Sequence, residues 1–578
     1  MIFRFFRGRD WAMVSLAVIL LVCQIWMDIL IPQYMSRITD AFLLSETDVV
    51  MKYGSEMIVC AFLSLAFSLA VGFVLANVSA SVGRNMRIQQ FDRVQAFSEE
   101  DIGRFSASSL ITRSTNDVTQ IQNFIARGLQ TVIKCPILTV WALSMIYGSS
   151  FEWTLITASG AVVLIFVMLF TLHFARRRFQ RIQWLTDGVN RATKENIDGI
   201  RVIRAYNAER YQESRFEKAS GDLMENNISA AAIMAPAFPL AQSMVNFVTL
   251  GIYWMGALMI AAADTQEGQL NLFSDMIVFT SYATMVLAAF MQMFGVMRML
   301  PRTLVGLKRI GEVVDTEPSV TDGTVTAGTE CGTVEFRDVS FSYPGSDREA
   351  ISNISFRVEK GQTLAIIGTT GSGKSSMVNL IPRFYDPTSG RIIVDGIDVR
   401  EFSRESLRSR LGYVSQDAII FSGSVEGNVN YGLHSEDRGP DDVDRALRIA
   451  NADGFVSSME DGIRSHVSQH GKNLSGGQKQ RISIARAVCR SPEILILDDS
   501  FSALDFKTDL ELRNRLHSEM SGCTIIMVAQ RIGTIMDADE ILVLSEGRIV
   551  GKGTHEELMA DCPEYRDMAR SQMVGGAV

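Results

Sequence analysis

Before residue 315, long apolar stretches alternate with polar stretches that are rich in arginine. A helix needs about 20 apolar residues to cross a bilayer. The apolar stretches therefore predict six membrane-spanning helices, at about 11–35, 56–80, 132–150, 153–174, 235–262 and 274–298. The third and fourth are separated by little more than Gly148-Ser149-Ser150, which predicts a tight hairpin between them.

The charged residues between these spans predict an orientation. Basic residues cluster around alternate loops, at Arg4, Arg7, Arg9, Arg84, Arg87, Arg93, Arg176, Arg177, Arg178, Arg181, Arg298, Arg302, Lys308 and Arg309. The other loops carry acidic residues, at Glu46, Asp48, Glu152, Asp264 and Glu267. Cytoplasmic loops carry an excess of lysine and arginine. We therefore expect a multi-pass protein of the cytoplasmic membrane with both termini in the cytoplasm.

Two cytoplasmic segments, about 84–130 and 176–234, are much longer than simple connections. They contain few glycines or prolines, and their apolar residues recur at helical spacing, as in Gly199 to Tyr206. They predict long helical extensions that couple the membrane spans to a soluble domain, or else a folded cytoplasmic subdomain without that role.

One charged residue, Asp28, lies inside the first predicted span, and Gln242, Asn246 and Gln292 lie inside later spans. A carboxylate at the bilayer centre costs about 3 kcal/mol on insertion scales. Asp28 therefore faces protein or water on a translocation pathway, or it lies near the outer interface. The sequence leaves both positions open, and it likewise leaves open whether the many methionines line a cavity or fill gaps between helices.

The pattern changes after residue 314. Residues 315–332 are rich in threonine and glycine and predict a linker. From 333 to 578, short strand-like and helix-like patterns alternate, as expected of an α/β domain. The predicted fold is therefore an all-α transmembrane domain at 1–314 followed by an α/β domain at 333–578.

Composition excludes several classes of function. The formal net charge is −9, whereas nucleic-acid-binding domains are normally basic. The seven cysteines are scattered and include no CxxC pair, which argues against a disulfide framework or a zinc site.

The first motif with chemical content follows an apolar strand at Thr363 to Ile367. It is the P-loop pattern GxxxxGK[ST], and a helical stretch is predicted from Ser376. Glycines let successive backbone N–H groups surround phosphate oxygens, lysine adds a positive charge, and the following hydroxyl can ligate Mg²⁺. The predicted nucleotide-binding residues are Gly368, Thr369, Thr370, Gly371, Ser372, Gly373, Lys374, Ser375 and Ser376.

A second apolar strand, Ile494 to Leu497, ends at Asp498, which is placed to hold Mg²⁺ directly or through water. Between the two strands lies Leu474-Ser475-Gly476-Gly477-Gln478. This order of motifs resembles that of ABC ATPases, and six spans before the ATPase resemble an ABC exporter half-transporter. The resemblance implies a head-to-tail ATPase dimer, in which Ser475, Gly476, Gly477 and Gln478 act on ATP bound by the partner chain.

The resemblance extends to further positions. Tyr343 matches the aromatic residue that stacks on adenine. Gln416 matches the residue that senses Mg²⁺ and contacts the coupling helices of the membrane domain. Ser502-Ala503-Leu504-Asp505 matches the loop that crosses the dimer interface, and Glu195 to Tyr206 resembles the cytoplasmic extension between spans four and five.

The chain departs from the family at two positions that matter for hydrolysis. Family members usually carry a glutamate after the Walker B aspartate, and here the residue is Asp499. They usually carry a histidine where this chain has Gln530, and glutamine cannot become a cation or relay a proton near neutral pH. A softer departure is Gln469, where many exporters have glutamate.

These departures predict a site that binds ATP and Mg²⁺ but hydrolyses ATP poorly. We therefore expect a heterodimeric, multidrug-type exporter, in which a second half-transporter with a complete Glu/His site is the partner. The alternatives are a slow homodimeric exporter, a nucleotide-gated channel or regulator, and an importer of the same architecture. An amphipathic or drug-like small molecule is the expected substrate class, and the sequence does not identify it further.

Overall fold

A computed structural model describes residues 2–43, 46–147, 151–432 and 435–574 of the chain. It divides into two compact units. The first contains Met1–Gln95 and Ser106–Thr316, and the second contains Ala96–Phe105 and Glu317–Val578.

Helices dominate the chain up to Thr316. Two π-helical turns, Arg113–Asp117 and Phe124–Gly128, interrupt the run that leads into the third span, and a 3₁₀ turn covers Ile2–Phe5. The α-helices are α1 (Gly8–Leu43), α2 (Thr47–Ala96), α3 (Glu99–Arg104), α4 (Ala107–Thr112), α5 (Val118–Asn123), α6 (Leu129–Tyr147), α7 (Phe151–Asp198), α8 (Ile200–Ala205), α9 (Glu209–Met234), α10 (Ala237–Ala262) and α11 (Gln266–Asp315).

Six helical stretches in the described residues are long and apolar enough to cross a membrane, which confirms the predicted number of spans. The helices extend well past the predicted apolar runs. α2, for example, has 50 residues and continues from the apolar run to Ala96. The predicted hairpin residues 148–150, between the third and fourth spans, lie outside the described residues.

The first unit has apolar residues on its inside and on its outside. Trp153 is buried, and its ring Nε1 donates a hydrogen bond to the carbonyl of Ile252. The buried hydroxyl of Tyr282 donates to the carbonyl of Ile29. Large apolar side chains also point outward, such as Trp254, which is 70% exposed. Outward apolar side chains on long helices suit contact with lipid.

The second unit is an α/β domain. Its strands are β1 (Val334–Phe341), β2 (Ile351–Val358), β3 (Thr363–Gly368), β4 (Ser389–Val394), β5 (Ile397–Asp398), β6 (Leu411–Val414), β7 (Gly423–Ser424), β8 (His466–Val467), β9 (Ile494–Asp498), β10 (Thr524–Val528), β11 (Glu540–Ser545) and β12 (Arg548–Gly553). Its helices after α3 are α12 (Lys374–Leu380), α13 (Arg404–Ser409), α14 (Val425–Val429), α15 (Pro440–Ile449), α16 (Asp453–Ser457), α17 (Gly476–Cys489), α18 (Phe506–Glu519), α19 (Ile532–Ile535), α20 (His555–Asp561) and α21 (Pro563–Val574).

The strands form a six-stranded sheet in the order β12-β11-β3-β10-β9-β6, a four-stranded antiparallel sheet in the order β2-β1-β4-β5, and the small β7-β8 pair. β3, β10 and β9 are adjacent and parallel. β9 and β10 are buried along their whole length, as expected of central parallel strands covered on both faces. The carboxyl ends of these three strands therefore meet at one edge of the sheet, where ligands bind in open α/β folds.

Two element boundaries in the structure differ from the predicted ones by one or two residues. Asp315, which was assigned to the linker, is the last residue of α11, because buried Ile310 and Val313 keep the helix packed through its last turn. The helix after the P-loop begins at Lys374, two residues earlier than predicted.

Residues of the predicted linker are held against the second unit. Val325 forms an isolated bridge with Phe402, and the backbone N–H groups of Thr329 and Glu330 both donate to the carbonyl of Asp395. α3 is part of this unit too, because the backbone N–H of Ser319 donates to Asp101 at 3.0 Å.

Candidate nucleotide site

The P-loop connects β3 to α12 and depends on two glycines with positive φ, Gly371 at +83° and Gly373 at +96°. Residues other than glycine rarely adopt these angles. A Cβ at Gly373 would also lie 2.5 Å from the carbonyl oxygen of Ala350. The tight loop therefore requires glycine at this position.

A cation and an unpaired hydroxyl lie inside this loop. The ammonium of Lys374 donates to the carbonyls of Gly368 and Thr369, both at 2.8 Å, and burial lowers its pKa. The hydroxyl of Ser372 is buried without a hydrogen-bond partner among the described residues. A buried cation and an orphaned donor next to a glycine-rich loop fit the phosphates of a nucleotide.

Oxygen ligands for a metal ion lie beside the loop. The hydroxyl of Ser375 donates to Oδ1 of Asp498 at 3.0 Å. Asp498 is 3% exposed, and burial raises the pKa of its carboxyl group. A bound cation would offset that penalty, and a hydroxyl paired with a carboxylate is the kind of oxygen donor set that Mg²⁺ prefers. The residues therefore fit Mg²⁺.

Asp499 occupies the left-handed region of backbone conformation, with φ +47°, and its N–H donates to the carbonyl of Val528. Its Oδ2 accepts a hydrogen bond from Nε2 of Gln530 at 2.7 Å and a longer one from Nε2 of Gln416 at 3.4 Å. Burial raises the pKa of Asp499, and the Gln530 bond opposes that rise. Two amides from separate loops therefore hold this carboxylate in place.

Tyr343 lies at the opening of the P-loop with 38% of its surface exposed. Its hydroxyl is 2.9 Å from the hydroxyl of Ser376. Its ring packs edge-on against Tyr385, with the centroids 5.5 Å apart. An exposed aromatic face fixed beside the phosphate loop suits stacking with a nucleobase.

The signature segment begins α17. Ser475 caps the helix, because its hydroxyl accepts from the backbone N–H of Gln478 while its own N–H donates to the Gln478 side chain. This reciprocal pattern is a capping box. Gly477 lies close to the Ser502–Asp505 loop, since a Cβ there would be 3.3 Å from the carbonyl of Ala503. Among the described residues, no hydrogen bond joins the signature segment to the P-loop.

Comparisons with known proteins agree with this geometry. Residues 14–290 match the family model of the ABC transporter transmembrane region, and residues 351–502 match the ABC transporter model. An uncharacterized ABC transporter ATP-binding protein of Mycobacterium tuberculosis is 36% identical over 94% of this chain and 92% of its own length. The chain belongs to the ABC transporter family.

Other relatives of this ABC transporter are similar over most of their length, and some have names that state an activity. An uncharacterized ABC transporter ATP-binding protein of Bacillus subtilis is 35% identical over 96% of both chains. An ATP-dependent lipid A-core flippase of Paraburkholderia xenovorans is 34% identical over 87% of this chain and 83% of its own length. A bacterial Atm1-family ABC exporter with ATP bound has the same fold, with a TM-score of 0.82 at 22% identity over 98% of this chain and 99% of its own.

The ABC transporter is thus a half-transporter, with a six-span transmembrane domain fused to one ATPase domain, and it has the fold of an exporter. The structure brings six of the predicted site residues into one group. Hydrogen bonds join Ser375 to Asp498 and join both Gln416 and Gln530 to Asp499. Lys374 completes the group through its electrostatic interaction with the two aspartates. The predicted roles of these residues, and of the signature residues toward a partner, stay predictions.

Two contacts beside the site were not predicted. The hydroxyl of Ser502 donates to the backbone carbonyl of Asp499 at 2.9 Å and ties the loop after β9 to that residue. Tyr385 packs against Tyr343, and burial raises its pKa. No motif marks Tyr385. Its only signal is the aromatic pair Phe384-Tyr385 shortly after the P-loop helix.

Proposed function

We propose that this half-transporter is the weakly hydrolysing subunit of a heterodimeric ABC exporter in the cytoplasmic membrane. Its own site binds ATP tightly and cleaves it slowly. Both termini and the ATPase domain lie in the cytoplasm, as the loop charges suggest. The partner is a second half-transporter that carries glutamate and histidine at the positions of Asp499 and Gln530.

The observation that carries this proposal is the environment of the Asp499 carboxylate. Aspartate is one methylene shorter than glutamate, so its carboxylate falls short by about 1.5 Å, the length of one carbon–carbon bond. The 2.7 Å bond from Gln530 further holds the group toward the loop after β10. A displacement of about 1 Å at a reacting group costs on the order of 10²-fold in rate.

The groups that bind nucleotide are retained. Lys374 and the P-loop N–H groups would hold the phosphates, and Tyr343 would stack on the base. Ser375 and Asp498, 3.0 Å apart, would hold Mg²⁺, which neutralises charge on the phosphates. Gln530 can still donate a hydrogen bond to the outer phosphate, but it cannot supply the proton or the positive charge of a histidine.

The intact signature segment supports a partner with a working site. Ser475 and the N–H groups that begin α17 lie at a helix N-terminus, which favours an anion. In a head-to-tail dimer this segment would meet ATP held by the partner. Two chains of the present type would hold two impaired sites, which makes a self-paired pump a weaker explanation.

The names of several relatives support export of an amphipathic substrate. Several relatives at 29–34% identity are named as ATP-dependent lipid A-core flippases. ATP binding would shift the membrane helices toward an outward-facing state, and hydrolysis at the partner's site would reset them. Uphill movement of substrate in vesicles separates such a pump from a nucleotide-gated channel, and its direction separates exporter from importer.

An asymmetry experiment tests the heterodimer. A tagged chain is purified from native membranes together with any second chain of similar size, and ATPase activity is compared among variants of this subunit. Ser475→Ala should lower the rate by tenfold or more, on the order of the effect of removing one transition-state donor. Asp499→Asn should change it less than about twofold, because cleavage at this site contributes little.

Two controls separate chemistry from folding. Ser475→Asp keeps a helix cap but places negative charge against the partner's phosphates, so it should lose activity while melting like the parent. Ser458→Ala alters an exposed serine elsewhere in the same unit and should have no effect. Equal losses for Asp499→Asn and Ser475→Ala, or rapid turnover by the chain alone, would contradict the proposal.

A further inference from the structure

An ion pair lies among the membrane helices of the first unit. Oδ2 of Asp28 on α1 is 3.0 Å from the ammonium of Lys134 on α6, and the two side chains are 19% and 23% exposed. The other carboxylate oxygen of Asp28 accepts a hydrogen bond from the hydroxyl of Ser64 on α2. Three helices therefore converge on one partly buried charge pair.

The pair lies far from one end of each of three apolar helices. Asp28, Ser64 and Lys134 are 15, 17 and 13 residues from the helix ends at Leu43, Thr47 and Tyr147. At 1.5 Å per residue these separations are about 20–25 Å, and the hydrocarbon core of a bilayer is about 30 Å thick. Charges at this depth are costly, and they mark substrate or ion pathways.

A cavity of about 190 Å³ opens beside the pair. Its polar wall contains Asp28, Lys134, Thr131 and Gln292, and its apolar wall includes Leu138 and Met285. Pockets for whole drug-sized molecules are about 300–1,000 Å³. The volume therefore suits a polar head group, with the rest of the molecule outside.

The polar wall has unused hydrogen-bonding capacity. The ammonium of Lys134 has three N–H groups, and Asp28 is its one hydrogen-bond partner in the described part of the chain. The amide of Gln292 has no hydrogen bond among the described residues. The hydroxyl of Thr131 has a long one, 3.5 Å, to the carbonyl of Arg127 in the preceding π-helical turn. A pair whose role is purely structural needs none of this capacity.

We propose that this cavity binds the zwitterionic head group of an amphipathic substrate, one that carries an ammonium and an anionic phosphate or carboxylate. The proposal rests on the transport function above and names its substrate class. Asp28 and Lys134 together are neutral, so an anion or a cation alone would leave a net charge in the hydrocarbon layer. A zwitterion takes up both partners: its anion pairs with Lys134 and its ammonium with Asp28, and neutrality is kept.

Binding of four lauroyl probes to the full-length chain in lipid nanodiscs, without ATP, tests this proposal. Lauroyl lysophosphatidylethanolamine is zwitterionic, lauroyl lysophosphatidic acid is anionic, lauroylcholine is cationic, and monolauroylglycerol is neutral. Saturable binding above that of empty nanodiscs should be about tenfold tighter for the zwitterion than for the neutral probe. One charge-assisted contact accounts for a factor of this size.

Substitutions at the pair should change the order of affinities. Asp28→Asn leaves a lone ammonium and should favour the anionic probe. Lys134→Gln leaves a lone carboxylate and should favour the cationic probe. The double variant Asp28→Asn/Lys134→Gln carries no net charge, and it should bind the zwitterionic and neutral probes within about threefold of each other.

A structural pair would behave differently: its single variants would lose stability without any change in the order of the probes. If the single variants fail to fold, the neutral double variant still distinguishes a head-group-binding pair from a purely structural one. The proposal is overturned if the parent shows no preference for the zwitterion, or if the double variant keeps that preference. Because no ATP is present, these results do not depend on whether the ATPase asymmetry predicted above is found.

Discussion

Replacing Asp499 by glutamate should increase ATP hydrolysis by the purified chain. Burial and the amide of Gln530 fix the aspartate carboxylate at the end of β9, 2.7 Å from that amide. Glutamate would extend the carboxylate by about 1.5 Å toward the space in front of the P-loop. Since about 1 Å of misplacement costs on the order of 10²-fold, Asp499→Glu should raise kcat by 10-fold to 100-fold.

The assay is phosphate release by the chain in nanodiscs at saturating Mg²⁺ and ATP, together with the KM for ATP. We expect kcat to rise while KM changes little, because the substitution does not touch Lys374, Ser375 or Tyr343. Asp444→Glu makes the same chemical change at an exposed position of α15 and should leave both constants unchanged.

Two results would refute this reasoning. The first is a parent chain, verified free of any partner, that already turns over at about 10 s⁻¹, the median for enzymes. The second is Asp499→Glu that binds ATP as the parent does but hydrolyses it no faster. In the second case the short side chain would not be what limits the rate.

Three further predictions follow from single residues. Burial raises the pKa of Asp499 in the folded chain above its value of about 4 in the unfolded chain. The ionised carboxylate therefore destabilises the fold at pH 7, and this cost disappears as the pH falls to about 4 and the group becomes protonated. Asp499→Asn should raise the Tm of the ATP-free chain at pH 7, with a gain that shrinks toward pH 4. Phe336 is 1% exposed and stacks on Phe356, with the ring centroids 4.6 Å apart. Phe336→Ala should therefore lower the unfolding free energy of the ATPase domain by about 3–5 kcal/mol in denaturant titrations. Val550→Ala, at an exposed position of the same domain, should have little effect. Tyr343→Leu should weaken equilibrium ATP binding by about tenfold, because the substitution removes the exposed ring that would stack on the base. The Tm should change little, because the ring is partly exposed in the ATP-free chain.

Much of the architecture follows from local patterns. Six apolar runs of membrane length are present in the sequence, and the described residues contain six helices of that kind. The P-loop could be placed because its glycines, lysine and hydroxyl are adjacent in the chain, between a strand and a helix. Helix ends were less predictable, because an apolar run marks only the part of a helix that contacts lipid and not the part that continues beyond it. α2 continues to Ala96 through packing of residues such as Val82 and Met86.

Contacts between distant residues could not be predicted in the same way. Asp28 was recognised as costly, but its partner Lys134 lies 106 residues away, in a run that hydropathy alone assigns to the third span. The structure places Asp28 against protein and a cavity, and its place on a translocation pathway stays a proposal. A lysine inside an apolar run was the signal that could have suggested the pair.

The difference between local motifs and contacts of distant residues also suggests how binding and cleavage could be separated at the nucleotide site. The groups predicted to hold phosphate, such as Lys374 and Gly373, belong to the P-loop between β3 and α12. The groups that would drive cleavage lie after β9 and β10, where the amide of Gln530 donates a hydrogen bond to the carboxylate of Asp499. Asp499 and Gln530 lie outside the segment that forms the P-loop, so we expect substitutions there to leave the P-loop geometry unchanged. A dimer can therefore lose cleavage at one site and still use ATP there to hold its two ATPase domains together.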